Sequence, residues 1–169
     1  MSGLRVVVLA DTHLRRDWPN RVLPSAARRH LAAADVILHA GDITQPEHLE
    51  DLRALTPVHA VLGNNDPELA DTLPETLVVD LAGVRVGMIH DSGPTRGRER
   101  RLHRRFPDAD VVVFGHSHIP WNAPGEAGQL LFNPGSPTER RSQPHRTLGE
   151  LELADGEIAA ARIVVVDEA

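Results

Sequence analysis

Short apolar runs that each stop dead in a glycine or a polar cluster constrain this chain more than anything else in it. Residues 4–10 form an apolar run interrupted only by Arg5 and ending at Asp11-Thr12-His13, the mark of a buried strand. Residues 24–34 are helix-prone. A second short strand follows at 36–39, stopped by Gly41, and 45–55 reads as a helix with Pro46 near its start, where proline is tolerated. A third strand, 58–62, stops at Gly63-Asn64-Asn65. This strand–helix rhythm predicts a parallel sheet covered by helices.

The second half is richer in strands. Residues 77–81 and 84–90 flank Ala82-Gly83, a hairpin signal. Residues 96–106 predict a short basic helix. Further strands are expected at 111–114, 129–132, 147–153 and 158–166, the last two joined across Asp155-Gly156. That makes about eight or nine strands and three or four helices. They fit an α/β fold of two packed sheets with helices outside. With 169 residues and no repeat, linker or low-complexity stretch, a single domain over 1–169 is expected.

Composition removes several chemistries. There is no cysteine, hence no disulfide and no thiolate metal site; all 18 basic residues are arginine, hence no Schiff-base or P-loop lysine. A net charge of -6 argues against a nucleic acid as a stable partner. The opening Met1-Ser2-Gly3-Leu4-Arg5 turns polar too quickly for a signal peptide. No apolar run approaches the roughly 20 residues that span a bilayer, so no membrane partner and a cytoplasmic location are expected. Ten histidines against three Phe, two Trp and no Tyr are what needs explaining.

Four of those histidines fall in polar clusters where strands end. The predicted strand ends carry Asp11-Thr12-His13, Gly41-Asp42, Gly63-Asn64-Asn65-Asp66, His90, and Gly115-His116-Ser117-His118. Ligands in open α/β sheets sit beyond the carboxyl ends of strands. Mixed carboxylate and imidazole donors suit Mn, Fe, Zn, Ni or Co. Seven such side chains exceed what one ion with an open position takes, and they suit two ions roughly 3.5–4 Å apart that share a carboxylate and clamp a phosphoryl oxygen. The glycines before Asp42, Asn64 and His116 are expected to let the backbone turn tightly.

Taken together, these five motifs in this order resemble the calcineurin-like metallophosphoesterase superfamily. The short chain, Gly63-Asn64-Asn65-Asp66 and Asn133-Pro134-Gly135-Ser136 resemble its small YfcE-like phosphodiesterase family. The resemblance runs over about residues 4–140. It implies a four-layer αββα sandwich, two packed mixed β-sheets flanked by helices. It implies a first metal on Asp11, His13, Asp42 and His118, and a second on Asp42, Asn64, His90 and His116, with Asp42 as the bridge. Mn is the first choice of ion, with Ni, Fe, Zn or Co as alternatives. The implied activity is hydrolysis of a small phosphodiester by a hydroxide bridging the metals. Asp42, Asn64, His90 and Asn65 would stand nearest the reaction. A phosphomonoesterase or nucleotide pyrophosphatase at the same site is the alternative activity. The small subunit of the retromer complex shares the fold, which keeps a non-catalytic interaction scaffold as a further alternative. A homodimer is compatible with all of these.

Two departures from the family pattern stand out. Many relatives carry a histidine directly after the ligand asparagine, where it helps protonate the leaving group; this chain has Asn65. The frequent His-Gly-His becomes His90-Asp91-Ser92. Within the third motif, Asn65 is expected in a left-handed turn, and Asp66 as a cap of the segment after it. His39 is read as packed or as orienting a ligand. His30, His48, His59, His103 and His145 are read as surface or packing residues. Arg96, Arg98, Arg100, Arg101, Arg104 and Arg105, like Arg140 and Arg141, are either a solvated face or a landing strip for phosphate. Trp18 and Trp121 either wall a cleft or fill the core.

Overall fold

The computed structural model describes residues 3–167. Met1 and Ser2, read above as the start of the domain, and residues 168–169 at its end lie outside them. Among the described residues there are ten strands and three α-helices. The chain runs β1 (Leu4–Leu9), α1 (Ser25–Ala32), β2 (Val36–His39), α2 (Pro46–Arg53), β3 (Val58–Ala60), β4 (Thr76–Leu81), β5 (Val84–Ile89), α3 (Arg98–Arg105), β6 (Val111–Val113), β7 (Trp121–Pro124), β8 (Leu130–Asn133), β9 (Thr147–Ala154) and β10 (Glu157–Val165).

Two five-stranded sheets result, ordered β10-β9-β1-β2-β3 and β4-β5-β6-β8-β7. Both are mixed. In the first, β1, β2 and β3 run parallel while β9 and β10 are antiparallel additions. In the second, β5, β6 and β8 run parallel between antiparallel β4 and β7.

Alternation along each strand sorts the side chains into layers. Val6, Val8, Val36 and Leu38 point between the sheets and meet Val86, Met88, Val111 and Phe132. Val7, Leu9 and Ile37 point the other way, onto Ala27 and Leu31 of α1 and Leu52 of α2. Val112 and Leu131 face Leu102 of α3 and Phe106. The order is helix, sheet, sheet, helix, as the resemblance implied. The helices start where backbone chemistry favours it: α2 has Pro46 in its first turn, Glu47 beside it and Arg53 in its last turn, charges that suit the helix dipole.

One strand was not legible. β7 is a half-exposed edge ending in Pro124, with apolar residues only at Trp121 and Ala123. Expected elements also shorten: the third strand is Val58–Ala60 and the basic helix begins at Arg98, after Gly97 in the left-handed region. No described helix is long and apolar enough to cross a membrane.

Candidate metal centre

The two sheets bring all five polar strand ends to one edge of the sandwich. There the backbone turns in an unusual way. Asp11 (φ 55°), His13 (φ 45°), Asp42 (φ 61°), His116 (φ 72°) and His118 (φ 62°) all occupy the left-handed region, which costs an L-residue about 1–2 kcal/mol. Such conformations persist only where the surroundings over-determine them. The expectation that glycine supplies the turns is therefore corrected: Gly41 does lie at φ 99°, but Gly63 and Gly115 do not have positive φ, and at the Asp11, Asp42 and His116 turns the candidate ligands themselves carry the strain. Gly63 serves close approach instead, since a Cβ there would sit 2.2 Å from the Asp42 nitrogen. Asn65, expected in a left-handed turn, is not in that region, and neither is Asn64.

Hydrogen bonds hold these turns in place. The Asp11 amide donates to the Gly41 carbonyl (2.9 Å) and the His13 amide to Asp42 (3.1 Å). Ser136 and Thr138 donate their hydroxyls to the carbonyls of Asp11 (2.8 Å) and Thr12 (2.6 Å). Asn133 donates to the Gly115 carbonyl, so the Asn133-to-Ser136 turn braces two strand ends. Asp66 is neither a metal donor nor a side-chain cap. Its buried carboxylate accepts the amides of Asp42 (2.9 Å), Thr44 (2.7 Å) and Gly63 (2.7 Å), and so fixes the second and third strand ends together. His39 is fully buried. Its Nδ1 accepts the Gly41 amide, which leaves Nε2–H to donate to the Thr12 hydroxyl (3.0 Å). It ties two ligand-bearing turns without touching a ligand side chain.

Side chains on these turns form two overlapping donor sets: Asp11 with His13 and His118, and Asp11 with Asp42 and His90. His13 Nε2 and His118 Nε2 lie 3.8 Å and 3.7 Å from Asp11 Oδ1. His13 Nε2 and His90 Nε2 lie 3.3 Å and 3.4 Å from Asp42 Oδ2. His90 and His118 each offer Nδ1–H to a carbonyl, that of Ala40 and of Glu139 respectively, which turns Nε2 towards the carboxylates. Both Asp11 carboxylate oxygens, His13 Nε2 and His118 Nε2 are buried without a hydrogen-bond partner. An orphaned buried polar atom costs about 1–3 kcal/mol; four aimed into one space fit a divalent cation. Both carboxylates reach across the halves: Asp42 lies between His13 and His90, and Asp11 Oδ1 is also 3.8 Å from His90 Nε2.

The other donors are arranged differently. Asn64 Oδ1 lies 3.0 Å from His90 Nε2 and 3.2 Å from His116 Nδ1. His116 is 44% exposed at its side chain and sits in a tight turn closed by Ser117 N–H on the Gly115 carbonyl. Asn65 donates its backbone and side-chain amides to the two oxygens of Asp42, each at 2.9 Å.

Burial and pairing shift the titrations. Burial pushes Asp11 up to about 7, against the pull of His90. Burial also opposes ionisation of Asp42, but His90 and the Asn65 amides win and hold its carboxyl well below the usual range. His90 is raised to about 9 because Asp42 and Asp11 outweigh its desolvation. Burial, aided by the Arg141 charge, lowers His118 to about 4. His13 is lowered by burial too.

Outside the cluster the sequence expectations divide. Ser92 accepts the Arg98 guanidinium at 3.0 Å and plays no part in the centre. Arg98 is buried against Phe114 and Trp121, and Arg101 ties down the carbonyls of Ser92 and Pro94. Two of the five arginines on α3 are thus structural. Trp121 packs; Trp18 is 43% exposed and walls a cleft of 680 Å3 with His13, Asn64, Glu139 and Arg141. Asp66, Thr138 and Glu139 are the contributors that sequence reasoning missed or misassigned; only the polarity of 136–141, next to the Asn133 turn, signalled the last two.

A four-layer sandwich with carboxylates and imidazoles gathered beyond its strand ends is the build of a metal-dependent hydrolase. The chain belongs to the calcineurin-like phosphoesterase superfamily: the family model described as "Calcineurin-like phosphoesterase superfamily domain" matches residues 4–156. It is 36% identical over 138 residues to a probable metallophosphoesterase of Methanothermobacter thermautotrophicus, covering 79% of this chain and 77% of that one. It is 33% identical over 165 residues to a probable metallophosphoesterase of Methanocaldococcus jannaschii, covering 95% and 81%. Its fold is similar to that of vacuolar protein sorting 29 from Cryptosporidium parvum, with a TM-score of 0.73, 24% identity, and 98% and 100% of the two chains covered.

Proposed function

We propose that this phosphoesterase is a two-metal phosphodiesterase, with Asp11, His13, Asp42 and His118 holding one ion and Asp42, Asn64, His90 and His116 the other. The observation that carries the reading is the set of four orphaned donor atoms on Asp11, His13 and His118, beside an Asp42 carboxylate shared with His90. Two divalent ions, Mn in the first instance, would supply electrophilic stabilisation of the phosphoryl oxygens and an acidified water with a pKa near roughly 7.

The chain's own residues do the rest. Asn65 and Asp66 fix the Asp42 side chain and backbone, the carboxylate that would be common to the two ions. Asn64 spaces His90 from His116. The oxygen of water bonds to phosphorus as the bond to the leaving alcohol breaks, and a proton passes to that alcohol. Asn65 cannot act as the acid at neutral pH, since an amide holds no dissociable proton there; a good leaving group suits this chain.

The test is to purify the protein without chelator, count metal per chain, and assay bis(p-nitrophenyl) phosphate against p-nitrophenyl phosphate with added Mn, Ni, Zn or Co. Two ions per chain and faster turnover of the diester are expected. A folded protein that takes up no metal and turns over neither ester overturns the reading in favour of an interaction scaffold, and a monoester preference would replace it with a phosphomonoesterase.

A further inference from the structure

Two clefts open onto the candidate metal centre, and they share one stretch of wall. The wider, 680 Å3, and the narrower, 370 Å3, are both lined by Leu62, Gly63 and Asn64. A diester has two arms on one phosphorus, so two clefts meeting at a ligand asparagine are a geometry for a diester rather than a monoester.

The clefts differ in charge once internal pairing is removed. In the wider one, Arg15 pairs with Asp17 (2.6 Å), Glu68 with Arg16 (3.2 Å) and Glu139 with Arg21 (3.4 Å). The Asp66 carboxylate is consumed by backbone amides. Arg141 is left: it makes no side-chain hydrogen bond or ion pair with any described residue, and its charge reaches Asp11, His13 and His118. Its backbone stands at φ 52°, a conformation an arginine does not adopt without cause. The narrower cleft has no cation in excess of its acids: Arg105 stands with Glu75 and Asp91, and Asp91 gives one oxygen to the Gly93 amide (2.8 Å) and lies 4.0 Å from His116 Nε2.

We propose that the two clefts divide a phosphodiester between them: the wider one, through Arg141, binds an arm that carries a second anionic group, and the narrower one takes an uncharged arm. A free guanidinium grips a phosphate through two parallel N–H bonds. The acids of the narrow cleft repel a charged arm and so set the orientation. The substrate class is then a small nucleotide-like diester with a terminal phosphate on its larger arm. This deepens the phosphodiesterase reading and rests on it.

The test compares two esters with the same leaving group: the p-nitrophenyl ester of thymidine 5′-phosphate, with and without a 3′-phosphate, hydrolysed by the Mn-loaded protein. The 3′-phosphorylated ester is expected to be favoured about tenfold or more in kcat/KM, mostly through KM. Arg141→Gln should erase that preference, Arg141→Lys should keep part of it, and Arg105→Gln should keep all of it. A second readout does not need turnover. Trp18 lines the wider cleft, so in a Trp121→Phe background its fluorescence reports binding of thymidine 3′,5′-bisphosphate against thymidine 5′-phosphate; the bisphosphate should bind tighter by a similar factor, and equally to the monophosphate in Arg141→Gln. Turnover of both esters without a preference, or a preference that survives Arg141→Gln, overturns the inference and leaves the phosphodiesterase reading standing. No turnover of either ester sinks the phosphodiesterase reading, and the binding ratio then decides the cleft by itself.

Discussion

Asp11, His13 and His118 leave four buried atoms with nothing to bind, whereas Asn64, His90 and His116 bond mainly to one another. The first half is dry, with Asp11 at 0% and His118 at 1% exposure; in the second, Asn64 is exposed and His116 is nearly half so. A cation entering the first half replaces unmet polar groups with bonds. One entering the second must first separate Asn64 from two imidazoles. On the proposed two-ion reading, two halves that share a carboxylate would still differ in how ready they are. The first is expected to fill at lower metal concentration.

The change that strikes both halves should do most harm. Asp42→Asn is expected to cut turnover roughly a thousandfold and to lower bound metal at both positions, while Asp11→Asn and Asn64→Ala each spare one ion. Metal content and kcat of the three variants at matched folding check this; near-normal metal in Asp42→Asn would remove Asp42 as the bridge. Asp66→Asn comes next. It swaps one of two oxygens that accept three buried amides for a donor, so about 3 kcal/mol of stability should go, read by urea unfolding. Both halves should weaken together, because Asp66 holds the Asp42 and Gly63 turns at once.

A third effect is graded by pH. Asp11, raised to about 7, and His90, raised to about 9, both hold protons at pH 6, and coordination requires both to leave. By pH 8 Asp11 has lost its proton and His90 still keeps one. Metal affinity should therefore rise about 10- to 100-fold from pH 6 to 8, with fewer protons released per ion at the higher pH. Isothermal titration with Mn in buffers of different ionisation enthalpy measures both quantities. Equal affinity and no proton release would take these side chains out of the centre. The smallest effect is at Arg141. Glycine at φ 52° relieves the strain at some entropic cost, so Arg141→Gly should gain about 0.5–1 kcal/mol, read as a raised Tm. A loss of stability there would show that the arginine is structural.

Much of this centre was legible because apolar runs that stop at Asp, His or Gly report both where a strand ends and what it presents. The strand ends at Asp11, Asp42, Asn64, His90 and His116 needed no more than that. Their backbone angles were not legible. Asp and His enter the left-handed region more readily than most residues, but residue type does not say which of them will, and the neighbouring glycines looked better suited to the turn. Asp66 looked like a cap because it precedes Pro67; its bonds run backwards in the chain, to Asp42 and Thr44, which spacing cannot reveal. β7 escaped because an edge strand of four residues with one face wet carries too few apolar positions to show a period.

The hydroxyls of Ser136 and Thr138 reach back to Asp11 and Thr12 across 125 and 126 residues of chain, and β1 gains its second neighbour only from β9. Contacts of such sequence separation form late and slowly. During synthesis, with the N-terminal part made first, β1 and β2 are expected to pair while Asp11 and Asp42 still face water on an unfinished edge. The centre closes only when the last third of the chain has arrived. Ion loading is then an event of the finished protein, and a nascent chain arrested before Ser136 should handle Mn no better than an unfolded one.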